Sequence, residues 1–155
     1  TGALPEDGVI ARPLGKLTMV NCASPHYLTR FGYPQSPDDL TSHAIVRYTP
    51  HLGVHPLGFE VASVNGVQWF KSGGMLTVNS SENYLAAGLA GLGIIQIPRI
   101  AVREALRAGR LIEVLPGYRA EPLSLSLVYP QRRELSRRVN LFMQWLAGAM
   151  KEYLD

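Results

Sequence analysis

The chain has 155 residues, 46% hydrophobic and 17% charged, with 15 Gly and 11 Pro. This is enough for one domain or two small lobes with a real core, since chains of this size remove roughly two thirds of their surface from water on folding. A net charge of +3 from dispersed Lys and Arg falls short of a nucleic-acid-binding face, and no apolar run is long enough to span a bilayer. The single Cys22 excludes an internal disulfide and a Cys-rich zinc site, and suits a reducing compartment.

The opening, residues 1–8 (TGALPEDG), is neither a signal nor a transit peptide and, without Met, reads as the interior of something longer. Residues 16–22 (KLTMVNC) are strand-like. Ser24-Pro25 then opens a short helix: Ser caps, Pro suits the first helical position, and Gly32 closes it in the left-handed conformation. Ser36-Pro37-Asp38-Asp39-Leu40 repeats the opening, with two acids where the helix dipole favours them. Residues 44–49 (AIVRYT) form another strand. Loops and short antiparallel pieces follow around 59–61 and 67–70, then a short strand at 76–78.

The most informative segment is 79–98 (NSSENYLAAGLAGLGIIQIP). Asn79 and Glu82 have capping-box spacing, with Asn in place of Ser or Thr. Leu85, Leu89 and Leu92 share a helical stripe, Gly93 stops the helix, and 94–97 is a strand ended by Pro98. A helix from about 100 to 108, stopped by Gly109, and strands at 111–115 and 123–129 (LSLSLVY) come next. The final helix, about 136–154, places Val139, Phe142, Met143, Leu146 and Met150 on one face. Short strands alternating with capped helices are the signature of an α/β sheet.

Tests for chemistry come back empty. The glycines of Gly88-Leu89-Ala90-Gly91-Leu92-Gly93 fall at the end of a helix, whereas a dinucleotide site needs them between a strand and a helix start. They are read as small residues for close packing plus a C-cap. His51 and His55 have the spacing of a metal pair only on a helix, which Pro50, Gly53 and Pro56 oppose. His26 and His43 are expected at the surface or at caps, and Cys22 as an inert, half-buried strand residue. No nucleophile elbow, phosphate loop or zincin motif is present. The basic cluster Arg132-Arg133-Glu134-Leu135-Ser136-Arg137-Arg138 lacks interleaved aromatics and is read as a solvated or dimer-contacting face. No metal, cofactor or catalytic group is expected. One feature survives: Ser24 after Cys22, and Asn79-Ser80-Ser81 after Val78, start helices directly after strands, where backbone N–H groups and the dipole favour anions.

The order of segments resembles the C-terminal effector-binding domain of LysR-type regulators. The match runs through Ile10-Ala11-Arg12-Pro13-Leu14-Gly15, Cys22-Ala23-Ser24-Pro25-His26-Tyr27-Leu28 with Gly32 and Pro34, and Pro37-Asp38-Asp39-Leu40 with His43. It continues through Val78-Asn79, Ala86-Ala87-Gly88-Leu89-Ala90-Gly91-Leu92-Gly93-Ile94 with Pro98, and Gly109-Arg110-Leu111 with Val114-Leu115-Pro116. It ends on Tyr129-Pro130 with Arg133, Leu135-Ser136 and Val139. Together these cover about residues 9–146.

The resemblance implies a type 2 periplasmic-binding-protein-like α/β fold with the second lobe complete and the first partial. Residues 1–15 and 130–155 would belong to the first lobe and 16–129 to the second, with crossing strands 16–23 and 123–129. It implies a small effector, with a carboxylate, in the interlobe cleft, bound by Thr49, Pro50, His51, Asn79, Ser80, Ser81, Pro98 and Ser124. It also implies a cytoplasmic homo-oligomer, with paired effector domains in a tetramer, touching DNA only through an N-terminal winged helix-turn-helix outside this chain. Fragments of the first lobe would expose apolar surface, such as the last helix between Val139 and Leu146. The rivals are an extracytoplasmic solute-binding protein of the same fold and an α/β enzyme.

Overall fold

The structure is a computed structural model and describes residues 8–50, 58–71, 73–130 and 136–154. The chain divides into two compact units, residues 19–121 and residues 1–18 with 122–155.

The larger unit is built on a sheet. Strand β2 (Met19–Ala23) pairs antiparallel with β7 (Ile95–Pro98) on one side and with β8 (Ile112–Glu113) on the other. Strand β3 (Ala44–Tyr48) pairs parallel with β6 (Gly73–Val78). An isolated parallel bridge, Ile45 to Ile94, joins the two groups. Its rungs run from Val46 N–H to Ile94 O (3.0 Å) and from Ile94 N–H to Ala44 O (2.9 Å). The strand order is therefore β6-β3-β7-β2-β8, with the first three parallel.

Strand alternation sends side chains to both faces. On one face Val20, Cys22, Val46, Ile95 and Ile97 pack with Tyr84 and Ala87 of helix α2 (Ser81–Leu89) and with Val102 and Ala105 of α3 (Arg99–Arg107). On the other, Ile45 and Ile94 pack with Tyr27 and Leu28 of α1 (Pro25–Phe31) and with Phe59 and Val61. Phe59 and Val61 lie on the hairpin of β4 (Phe59–Ser63) and β5 (Gly66–Phe70). Each fully buried large aliphatic contributes about 1.5–3 kcal/mol.

Local signals explain most boundaries. Ser24 Oγ accepts from Tyr27 N–H (3.2 Å), Pro25 starts α1, and Gly32, at φ 82, donates its N–H to Leu28 O. A 3₁₀ turn (Pro37–Ser42) starts where Asp39 Oδ2 accepts from Gln35 N–H (2.8 Å) and Ser36 N–H (2.9 Å). These amides hold the Asp39 carboxyl below its usual range.

Three expectations need correction, and a fourth, for His43, holds only in part. The strand expected at residues 16–22 is divided at Thr18, because β1 (Val9–Leu17) pairs elsewhere. Leu92 lies past the end of α2 and is 55% exposed, so it is not part of the helix stripe. His43 does sit at a cap, closing the 3₁₀ turn with its N–H on Leu40 O (3.2 Å), but its side chain is buried: its Nδ1 hydrogen-bonds the Tyr27 hydroxyl (3.1 Å), and burial pulls its pKa down against the opposing pull of Asp39. Cys22 is fully buried, which together with Glu113 pushes its thiol up to about 12.

In the smaller unit, β1 pairs antiparallel with β9 (Leu123–Pro130), and the register shifts between Pro13 and Gly15. Helix α4 (Arg137–Met150) is capped by Ser136, whose Oγ accepts from Val139 N–H (3.4 Å), and a 3₁₀ turn (Lys151–Tyr153) follows it. Met143 is buried, whereas Val139, Leu141, Phe142 and Trp145 are exposed.

Candidate functional site

The parallel strands β6, β3 and β7 end at one edge of the larger unit's sheet, the carboxyl edge where α/β proteins hold ligands. Tyr48 and Val78 are register partners at the ends of β3 and β6. Thr49 N–H donates to Val78 O (2.9 Å), extending the pairing by one rung. Pro50 and Asn79 thus leave neighbouring strand ends. Pro98 ends β7 opposite Met19 and is also the residue before α3.

These residues differ in what they offer. Asn79, Ser81 and Pro50 are exposed, and Ser80 is half-buried. Thr49 is buried, so it fixes the strand end and shows little of itself to solvent. His51 lies outside the described residues, as does His55. Ser124 belongs to the smaller unit, exposed on β9 opposite Lys16. Of the eight residues named from sequence, the structure brings Thr49, Pro50, Asn79, Ser80, Ser81 and Pro98 to one sheet edge.

The helix start is built one residue later than its spacing predicts. Ser80, not Asn79, caps α2: its Oγ accepts from Asn83 N–H (3.3 Å) and its hydroxyl donates to Glu82 Oε2 (2.7 Å). The Glu82 carboxyl is held below the usual carboxylate range, first by the Ser80 hydroxyl, then by its own backbone N–H and the Ser81 side chain. The positive end of α2 therefore already carries one internal carboxylate. Beside it, Tyr48 is half exposed and packs against Tyr84, ring centroids 5.7 Å apart.

The start of α1 is not comparable. Ser24 is buried beneath Gly91, where an added Cβ would sit 3.0 Å from Ser24 Oγ. That hydroxyl is consumed in capping and packing.

Among the described residues, no group of three or more His, Cys, Asp or Glu side chains is placed to hold a metal ion. Sequence reasoning named Glu82 as the partner of Asn79 where the structure pairs it with Ser80, and it missed Tyr84 and Gln96 as residues that seat α2. The available signal was an amide inside the apolar run at 94–97.

A family model described as the LysR substrate binding domain matches residues 1–151. The chain belongs to the LysR substrate-binding domain family. Its fold is accordingly the α/β, type 2 periplasmic-binding-protein-like one. It is 99% identical over all 155 residues to an uncharacterized HTH-type transcriptional regulator of Escherichia coli, YhjC, covering 52% of that protein. It is 30% identical over 153 residues to the HTH-type transcriptional activator AaeR of the same species, spanning 97% of this chain and 48% of AaeR. The chain thus spans about half the length of these curated relatives. The regulatory domain of CrgA, a LysR-type transcriptional regulator from Neisseria meningitidis, superposes with a TM-score of 0.80 at 26% identity, over 96% of this chain and 72% of that one. These relatives are named as transcriptional regulators. No helix among the described residues is long and apolar enough to cross a membrane.

Proposed function

We propose that this chain senses a small carboxylate-bearing effector for a LysR-type regulator and leaves it chemically unchanged. The observation that carries this is the shared edge where three parallel strands end beside the start of α2. Asn79, Ser80 and Ser81 supply polar contacts there, Pro50 and Pro98 line the approach, and Thr49 holds the rung that sets their spacing; His51 is assigned to the effector from sequence alone. In this assignment residues 16–129 form the second lobe, with crossing strands 16–23 and 123–129 and Ser124 on the returning one, and residues 1–15 and 130–155 belong to the first.

Effector binding that favours one lobe arrangement is what a regulator transmits to its DNA-binding domains. Those domains, the homo-oligomer that pairs them and the cytoplasmic setting belong to the full-length protein. The buried Cys22, with its thiol pushed up to about 12, is no nucleophile at neutral pH, which supports binding over catalysis.

Titration calorimetry of the full-length protein with a panel of small mono- and dicarboxylates tests this. One or more acids should bind, and Ser81→Ala should weaken that binding about tenfold, as for a hydrogen bond to a charged group. Unchanged affinity in both Ser80→Ala and Ser81→Ala rejects the helix-start site, and turnover of any acid rejects the non-catalytic role.

A further inference from the structure

Several buried polar groups away from the sheet edge converge on Gln96, an amide set in an apolar strand. Its carboxamide behaves as an extra peptide group beside β4: Nε2 donates to Glu60 O (2.8 Å) and Oε1 accepts from Glu60 N–H (3.3 Å). The second Nε2 hydrogen goes to Asn21 Oδ1 (2.9 Å). Asn21, fully buried, donates its own Nδ2 hydrogens to Leu115 O (3.2 Å) and Tyr118 O (2.9 Å). The Gln96 backbone joins from the other side. Its N–H donates to the Tyr84 hydroxyl of α2 (2.8 Å), and that hydroxyl donates to Gln96 O (3.3 Å). Both Nε2 hydrogens face acceptors, so the amide has one orientation that satisfies every member.

What Asn21 pins is strained. Leu115 has φ 48, the positive-φ non-glycine residue among those described. That region strains an L side chain and persists only where surroundings enforce it. Tyr118 N–H donates to Leu115 O (2.9 Å), closing a turn over residues 115–118. Glu121, whose N–H donates to Glu60 Oε1 (3.0 Å), is the last residue of the larger unit before the chain passes into the smaller one. The groups that seat the effector-site helix and those that hold the strained exit turn therefore meet on one residue, Tyr84 on the Gln96 backbone and Asn21 on its side chain.

We propose that the hydrogen-bond chain from Tyr84 through Gln96 to Asn21 couples the start of α2 to the exit turn at residues 115–118. Gln96 is the positioning residue, acting without touching effector. This rests on the effector site proposed above. A shift of α2 on binding changes the support of the Gln96 peptide, and the strained turn is the element poised to relax when Asn21 moves.

Amide hydrogen exchange on the full-length protein tests the link without any ligand. Tyr84→Phe removes one hydroxyl at nearly constant volume and should lower protection factors at Tyr118 and Glu121 about threefold or more, the scale expected for residues in one network. Gln96→Glu keeps the shape but turns a carboxylate toward Glu60 O and Asn21 Oδ1. It should lower the same protections, with recovery as the carboxyl takes up a proton at lower pH, a dependence that lost packing does not produce. Thr29→Ala, on the exposed side of α1, should leave both amides unchanged. Should Gln96→Glu fail to fold, Tyr84→Phe alone decides. Unchanged protection at Tyr118 and Glu121 in folded Tyr84→Phe overturns the coupling, whatever the carboxylate titrations give. Failure of every carboxylate to bind strikes the effector site and leaves the exchange result standing.

Discussion

The seat of α2 on the sheet is set by Gly88, and replacing it with Ala puts two effects of opposite sign in competition. Within a helix, Gly→Ala gains about 1 kcal/mol from backbone propensity. Here the new Cβ would lie 2.6 Å from Ile95 Cδ1, 3.0 Å from Cγ1 and 3.2 Å from Cγ2. Ile95 is fully buried in the middle of the core. The δ-methyl alone is free to rotate about χ2, but two branches of a β-branched side chain cannot both retreat from one point. Overpacking of this kind costs about 1–3 kcal/mol, and an approach of 2.6 Å to a buried side chain puts the cost in the upper part of that range, about 2–3 kcal/mol, so packing outweighs propensity. Gly88→Ala should destabilise the protein by about 1–2 kcal/mol, a roughly 5- to 30-fold fall in the folded-to-unfolded ratio. Urea unfolding followed by circular dichroism measures it. Ile95→Val alone should cost about 0.5–1.5 kcal/mol, yet it removes the closest atom. The double variant should therefore be more stable than the sum of the two losses by about 1 kcal/mol. A Gly88→Ala protein as stable as the parent, or strict additivity in the double variant, refutes the close-packing account.

Three further outcomes follow from groups described above. Glu82→Gln removes the internal carboxylate from the start of α2, so any carboxylate effector should bind several-fold more tightly in calorimetry; weaker binding would mean that Glu82 assists the ligand and does not compete with it. His43 has its pKa lowered on folding, so the unfolded chain holds the proton more readily. The stability that neutral His43 contributes is intact above the ordinary histidine pKa of about 6.5. It declines as pH falls below that value, until the folded protein also takes up the proton. Urea midpoints between pH 7.5 and 5 should fall more steeply in the parent than in His43→Gln, and parallel curves would exclude His43 as the source. Cys22 should react with a thiol reagent only as fast as the larger unit opens, so a native-state rate unaffected by mild urea would contradict its burial.

Local chemistry made α1 legible in full, because its cap, first-turn proline and terminal glycine are contiguous. The start of α2 was legible only to within a residue. Asn79 and Ser80 can both cap, and the choice is made by the rung from Thr49 N–H to Val78 O, between residues far apart in sequence. The stripe through Leu92 misled because helical spacing continues on paper past Ala90, where Gly91 at φ 76 turns the backbone away. His43 looked isolated since its partner, Tyr27, is sixteen residues off. The network around Gln96 joins residues 12 to 97 positions apart, which no window of local periodicity can register. Sequence therefore identified the sheet edge that carries the polar residues. What surrounds and restrains them is tertiary.

The register shift in the ribbon of β1 and β9 sets which way each residue of β1 points. Along β9 the residues Leu123, Leu125, Leu127 and Tyr129 share a face, and their partners on β1 are Leu17, Gly15, Arg12 and Ile10. Those partners change from even to odd numbers across Leu14, the one residue in excess on β1. Were Leu14 paired in line instead of bulged out, Lys16 instead of Leu17 would face the leucine side, carrying a charge where an aliphatic chain now lies buried. The irregularity at Leu14 thus absorbs one residue and resets the alternation of β1. Deleting Leu14 joins Pro13–Ser126 directly to Gly15–Leu125 and Leu17–Leu123, so a β1 shortened there should keep Leu17 on the leucine side.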